Sequence, residues 1–159
     1  MPSAPQDAGT ASAIKALERY VNGLITDSSR LVQGCAIVPL APSEQTAVAP
    51  SSSSGRKTIV LVQKGTALRA PEAATILERT LAGTLHRDYV YVGGAQYMIT
   101  NVQRRSFYGR LMSAAAAGGV VVVKTNKLLV VATYAAPALP AEAVPHVEKF
   151  ADELAKLDY

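Results

Sequence analysis

Between residues 89 and 141 the chain carries no Asp or Glu, yet it holds Arg104, Arg105, Arg110, Lys124 and Lys127. Such a one-signed stretch can draw in an acidic partner and fix its register. Affinity would then come from anchors that lose their water, such as Tyr108 and the arginines, rather than from lysines at the rim. The same charges would also serve as a solvated face with no partner. Chemistry of other kinds is missing. Two histidines, His86 and His146, and one cysteine, Cys35, make no zinc-ligand cluster. Each histidine reads as a surface group beside an element end. Cys35 sits in an apolar run and reads as a buried, inert thiol. Gly93-Gly94 and Gly118-Gly119 lack the following helix and Lys-Ser or Lys-Thr step of a phosphate loop. The acidic residues are scattered, without a paired acid and base. These residues suit a binding protein rather than an enzyme, and they imply no cofactor or metal.

The elements that must position the basic residues fit one domain. The chain has 159 residues, 49% hydrophobic and 18% charged, with a net charge of +4. That is a globular composition. The positive balance favours an acidic protein face, anionic lipid or nucleic acid, or serves solubility alone. A single cysteine fits a reducing compartment. The longest apolar run, Leu128 to Ala132, is far short of the roughly 20 residues of a membrane span. The first residues show no signal-peptide pattern. A cytoplasmic location is expected.

Residues 1–12, rich in Ala, Ser, Pro and Gly, read as a flexible tail, and 13–159 as a single domain. Ile14, Leu17, Val21 and Leu24 recur at helical spacing, predicting an amphipathic helix with Ser12 as N-cap. GCAIVPL reads as a strand. Residues 40–56 read as an exposed Ser/Pro-rich loop insertion. KTIVLVQ is a β-rich strand, and Pro71 opens a helix, PEAATILERTL. YVYVGGAQYMITNVQRRSFYGR predicts two strands with a turn near Asn101 to Arg104. VVVVKTNKLLVVATY predicts a hairpin turning at Lys124 to Lys127. Its valines do not alternate with polar residues, which predicts a sheet covered on both faces. The last segment, AEAVPHVEKFADELAKLDY, is helical, with Val147, Phe150, Ala151 and Leu154 on one face. Pro145 confines its start to about Ala141. The order helix, two strands, helix, four strands, helix predicts an α+β fold around an antiparallel sheet.

Several stretches, in order and spacing, resemble the profilin family. They are RYVNGLI in the first helix, VGGAQYM, then RSFYGR, GGVVVVKTNKLLVVATY, VEKFADEL and the terminal tyrosine. Together they cover roughly residues 14 to 159. The resemblance implies a central antiparallel sheet of about six to seven strands. The N- and C-terminal helices would pack on one face and short helices on the other.

The resemblance further implies binding of monomeric actin and control of its polymerisation by a cytoskeleton-associated, monomeric protein. The implied actin-binding residues are Arg105, Tyr108, Arg110, Lys124, Asn126 and Lys127, with Glu142 and Lys149 at the edge. It also implies a groove for proline-rich partners such as formins, because extended polyproline stacks on aromatics at little entropic cost. The groove positions here are Leu17, Tyr20, Glu153 and Tyr159. Only the two tyrosines keep the family's aromatic type, and the chain has no Trp, so the groove is expected to be shallow. Phosphoinositide binding would use the same arginines and lysines. Residues 111–117, LMSAAAA, are longer than the family usual and could form a short helical turn that touches actin. Two other readings stay open. A PAS- or longin-like binding module that does not act on actin would need a pocket in the sheet. A nucleic-acid binder would need exposed aromatics among the basic residues, and only Phe107 and Tyr108 offer them; no nucleic acid is expected.

Overall fold

A computed structural model describes residues 3–27, 31–40, 60–65, 68–113 and 115–159. Helix α1 runs over Ser3–Asp27 and strand β1 over Gly34–Pro39. Strand β2 covers Val62–Lys64 and helix α2 covers Ala70–Ala82. A single 3-10 turn, Leu85–Arg87, leads into β3 at Val90–Val92 and β4 at Ala95–Val102. Strands β5 at Ser106–Leu111, β6 at Gly118–Lys124 and β7 at Leu128–Ala135 follow, and α3 at Pro140–Lys156 closes the chain. The strands form one sheet in the order β2-β1-β7-β6-β5-β4-β3, and every neighbouring pair is antiparallel.

The valine runs dictate this layering. Val120, Val121, Val122 and Val123 are all fully buried. Successive strand residues point to opposite faces, so a run buried at every position must be covered twice. Val121, Val123, Cys35, Ile37 and Val130 meet Leu17, Val21 and Leu24 of α1 and Val147, Phe150 and Leu154 of α3. Val120, Val122, Ala36, Val38 and Val131 meet Ala73 and Ile76 of α2 and Leu85 of the 3-10 turn. Each fully buried valine contributes about 1.5–3 kcal/mol of hydrophobic stabilisation. The expected α+β architecture, terminal helices on one face and short helices on the other, is the one observed.

Four details differ from the sequence reading. Helix α1 begins at Ser3 rather than near Ala13, so much of the tail expected over 1–12 is helical backbone. Alanine has the highest helix propensity, and a proline in the first turn, here Pro5, sacrifices no helical hydrogen bond. One strand expected after His86 is two, β3 and β4, folded back at Gly93-Gly94. Both glycines have positive φ, 61° and 83°, as a two-residue hairpin turn with the twist of its strands demands. Of KTIVLVQ, only Val62 and Gln63 fall in the short β2, and residues 57–59 lie outside the described residues. Finally, no helix forms among the described residues of 111–117. Leu111 completes β5. Ser113 accepts a hydrogen bond from the Ala115 backbone N–H at 3.2 Å through its hydroxyl. Seven residues are too few to nucleate a helix unaided. The insertion read over 40–56 lies, apart from Leu40, outside the described residues.

Among the described residues no helix is long and apolar enough to cross a membrane. Among these residues no group of three His, Cys, Asp or Glu is placed to hold a metal. Cys35 is fully buried, and burial pushes its thiol up to about 12.

Candidate functional site

The basic residues do not form one patch. Strand β5 separates Arg105, just before it, from Arg110 near its far end, a spacing of about 17 Å for extended chain. Helix α3 runs antiparallel to β5. Its residues Glu148 and Asp152 reach Arg105, and Tyr159, beyond its end, reaches the β6–β7 turn. Its N-terminal end therefore lies toward Arg110.

At the Arg105 end, Arg105 and Lys127 have acidic partners, whereas Arg104 and Lys124 have no carboxylate within 4 Å among the described residues. Arg105 pairs with Glu148 at 2.9 Å and with Asp152 at 2.7 Å. The Ser106 hydroxyl donates to Glu148 Oε2 at 2.6 Å, and the Tyr108 hydroxyl donates to the same oxygen. Burial raises the Glu148 carboxyl, but the donors Ser106, Tyr108 and Arg105 outweigh it and hold the group below the usual carboxylate range. Burial, then the Glu148 charge and hydrogen bond, push the Tyr108 phenol up to about 12. Tyr108 packs half-buried at the edge of the α1–α3 core. Lys127 lies 3.6 Å from Asp158. The backbone N–H of Lys127 and the hydroxyl of Thr125 both donate to the Tyr159 carbonyl, at 2.6 and 2.9 Å. The turn expected at Lys124 to Lys127 therefore anchors the last residue. Lys124 is half-buried and Asn126 exposed.

The Arg110 end is different. Arg110 is exposed and has no carboxylate within 4 Å among the described residues. Phe107 and Leu111 turn toward α2 and Tyr108 toward α3; by alternation Arg110 faces the α3 side. Its cross-strand partners are Met98 on β4 and Gly119 on β6. Tyr97 and Ile99 turn toward α2, so Met98 shares the Arg110 face. So does Tyr91, whose neighbours Val90 and Val92 point the other way. Met112 follows Arg110 in the same alternation, and its N–H donates to the Gln96 carbonyl at 2.9 Å. Met98, Tyr91 and Met112 are 37%, 47% and 39% exposed. Gly119 is fixed by packing, because a side chain there would collide with the Tyr134 ring. This sheet face, bordered by the start of α3, is an apolar surface around an unpaired guanidinium. Glu142 and Lys149 are both exposed on that helix.

Sequence reasoning missed Met98, Tyr91 and Met112, because only the cross-strand register places them beside Arg110. It missed Glu148 for the same reason: its partners lie 40 to 43 residues away. Of the groove positions, Leu17 is 2% exposed in the core, Tyr20 is 38% exposed on α1, and Tyr159 is half-buried against the same core. Glu153 is exposed on α3.

The profilin family model matches residues 15–159. The chain belongs to the profilin family. Solved profilins share its fold. A Schizosaccharomyces pombe profilin superposes with a TM-score of 0.70 at 22% identity, over 89% of this chain and 98% of that one. Mouse profilin IIa, solved in complex with a double repeat from the FH1 domain of mDia1, gives 0.66 at 14% identity, over 89% and 97%. LokiProfilin1, solved in complex with rabbit actin, gives 0.62 at 15% identity, over 90% and 96%. Comparison with curated proteins finds no match. Family membership disfavours the PAS- and longin-like reading, and the valines of the central strand β6 are buried on both sheet faces.

Proposed function

We propose that the chain is a non-enzymatic binding protein that captures monomeric actin and regulates its polymerisation. The observation that carries this reading is Arg110, exposed and unpaired among the described residues, set directly across from exposed Met98. An arginine among exposed apolar side chains is the composition of an interface hot spot. Family membership and the LokiProfilin1–rabbit actin complex support the choice of partner. Of the residues assigned from the sequence, Arg110, with Glu142 at the start of α3, belongs to this surface, while Lys149, next to Glu148, flanks it from the Arg105 side. Lys124, Asn126 and Lys127 form a second, flanking contact. Arg105 and Tyr108 contribute chiefly by holding α3 against β5. The insertion over 111–117, which follows Arg110 directly in the chain, tunes the affinity.

Titration against monomeric actin tests this. Arg110→Glu weakens binding at least tenfold, about 1.4 kcal/mol, the scale of an interface anchor. Met98→Ala weakens it less. Unchanged binding by Arg110→Glu would reject this placement.

A second reading accompanies the first. Exposed Tyr20 and half-buried Tyr159, on elements sharing one core, form a shallow site for proline-rich segments of formin type. The mouse profilin IIa complex supports it. Anionic phosphoinositides would compete for Arg110, and salt-sensitive binding of phosphoinositide vesicles, lost in Arg110→Glu, is the expected sign.

A further inference from the structure

The sheet ends at β3, and a groove of about 420 Å³ runs between that edge and α2. Its floor is Ile76, Leu85 and Val90, all buried. Arg69 stands at one end and Arg79 further along α2. Of the residues placed above on the Arg110 surface only Tyr91 also lines this groove, and its side chain faces the other side of the sheet, so the groove is otherwise unused by the proposed function.

The backbone of β3 says what can enter. A two-residue turn at Gly93-Gly94 makes Val92–Ala95 a hydrogen-bonded pair, so Tyr91–Gln96 is the non-bonded pair next to it. The Gln96 carbonyl indeed turns to β5, where it accepts from Met112. The N–H and C=O of Tyr91 therefore point away from the sheet, and among the described residues they are an open template for one more strand.

The side chains say what that strand carries. Arg69 has no carboxylate within 4 Å among the described residues. Its guanidinium lies 3.3 Å from where a side chain on Gly94 would begin, so it hangs over the groove mouth. Among the described residues Arg79 pairs only with Asp88, at 3.5 Å and with both side chains partly exposed. The one acidic lining residue, Glu72, is already engaged. It accepts from the backbone N–H groups of Arg69, Gly93 and Gly94 at 2.8 to 2.9 Å. Burial raises its carboxyl, but those bonds and the Arg69 charge win and hold it below the usual range. Along α2, ten residues from Arg69 to Arg79 span about 15 Å. Residues four apart on one face of an extended strand span about 13–14 Å.

We infer that this groove docks a short acidic peptide as an added strand on β3, with acidic side chains four residues apart seated on Arg69 and Arg79. The residue midway between them is apolar and sits over Ile76 and Val90. The remaining side chains face the other way, alongside Tyr89 and Tyr91.

The test uses a blocked, fluorescein-labelled Glu-Thr-Val-Thr-Glu peptide, read by anisotropy and by amide shifts of the full chain. Saturable binding with the largest shift at the Tyr91 N–H is expected. Proline at the second and fourth peptide positions removes the N–H groups that pair with Tyr91, and should weaken binding at least tenfold. R69E and R79E should each do the same. The double variant R69E/R79E should bind Lys-Thr-Val-Thr-Lys instead, which separates charge recognition from any loss of folding. No saturation at millimolar peptide would overturn the inference, as would binding indifferent to proline or no charge-swap rescue. Displacement of the peptide by an equal concentration of pyrophosphate would also overturn it, by making this a phosphate site.

Discussion

Replacing Glu148 by Ala tests whether one carboxylate fastens α3 to β5. Three donors lose their acceptor. Ser106 is 1% exposed, so its hydroxyl is left without a partner where water does not replace it. An unsatisfied buried hydroxyl costs about 1–3 kcal/mol. Tyr108 is half-buried and its phenol can turn to water, a loss of about 0.5–1.5 kcal/mol. Arg105 keeps Asp152 at 2.7 Å, and partly exposed pairs are worth about 0–1 kcal/mol. The sum, about 1.5–5.5 kcal/mol, lowers Tm by roughly 3–22 °C for a domain of this size. Glu148→Gln keeps an acceptor oxygen and loses the charge, so it falls between wild type and Ala. The carboxyl is depressed in the fold, so its contribution is complete above the ordinary carboxylate pKa and is lost as pH falls through the folded value. Urea unfolding at neutral and acidic pH measures both effects. The gap between wild type and Glu148→Gln should shrink toward acid. A Glu148→Ala cost under about 0.5 kcal/mol, or a gap that does not change with pH, would refute the clamp.

The two groove positions on α1 should separate cleanly. Leu17→Ala destabilises by about 2–5 kcal/mol as a core cavity, whereas Tyr20→Ala leaves Tm nearly unchanged and weakens polyproline binding; thermal melts with peptide titration would show it. Gly119→Ala drives a methyl into the Tyr134 ring and the Gly109 carbonyl and should cost about 1–3 kcal/mol, measured by urea unfolding. Glu72→Gln removes the charge from the acceptor of the Gly93 and Gly94 N–H groups, and faster amide exchange confined to that turn is the expected result.

Much of this architecture was legible because it follows from local rules. Valines buried at every position demand a doubly covered sheet, and Leu17, Val21 and Leu24 demand a helix with one buried stripe. What was not legible depends on register. Gly93-Gly94 read as a failed phosphate loop and as part of the VGGAQYM resemblance, but not as a hairpin turn, because the reversal of φ shows only when β3 and β4 pair. The basic cluster read as one face because strand positions close in sequence seem close in space. An extended strand instead carries Arg105 and Arg110 to opposite ends, and only one of those ends meets acidic residues from α3. The separation assigns work to each arginine. A guanidinium with two carboxylates within 3 Å must break those pairs before it can serve a partner, and that cost is subtracted from any affinity it adds. Arg110 has no such pairs to break among the described residues. Charge counted along the chain therefore overstates the field a partner meets, and an arginine such as Arg110, with no pair to break, adds more to recognition than Arg105.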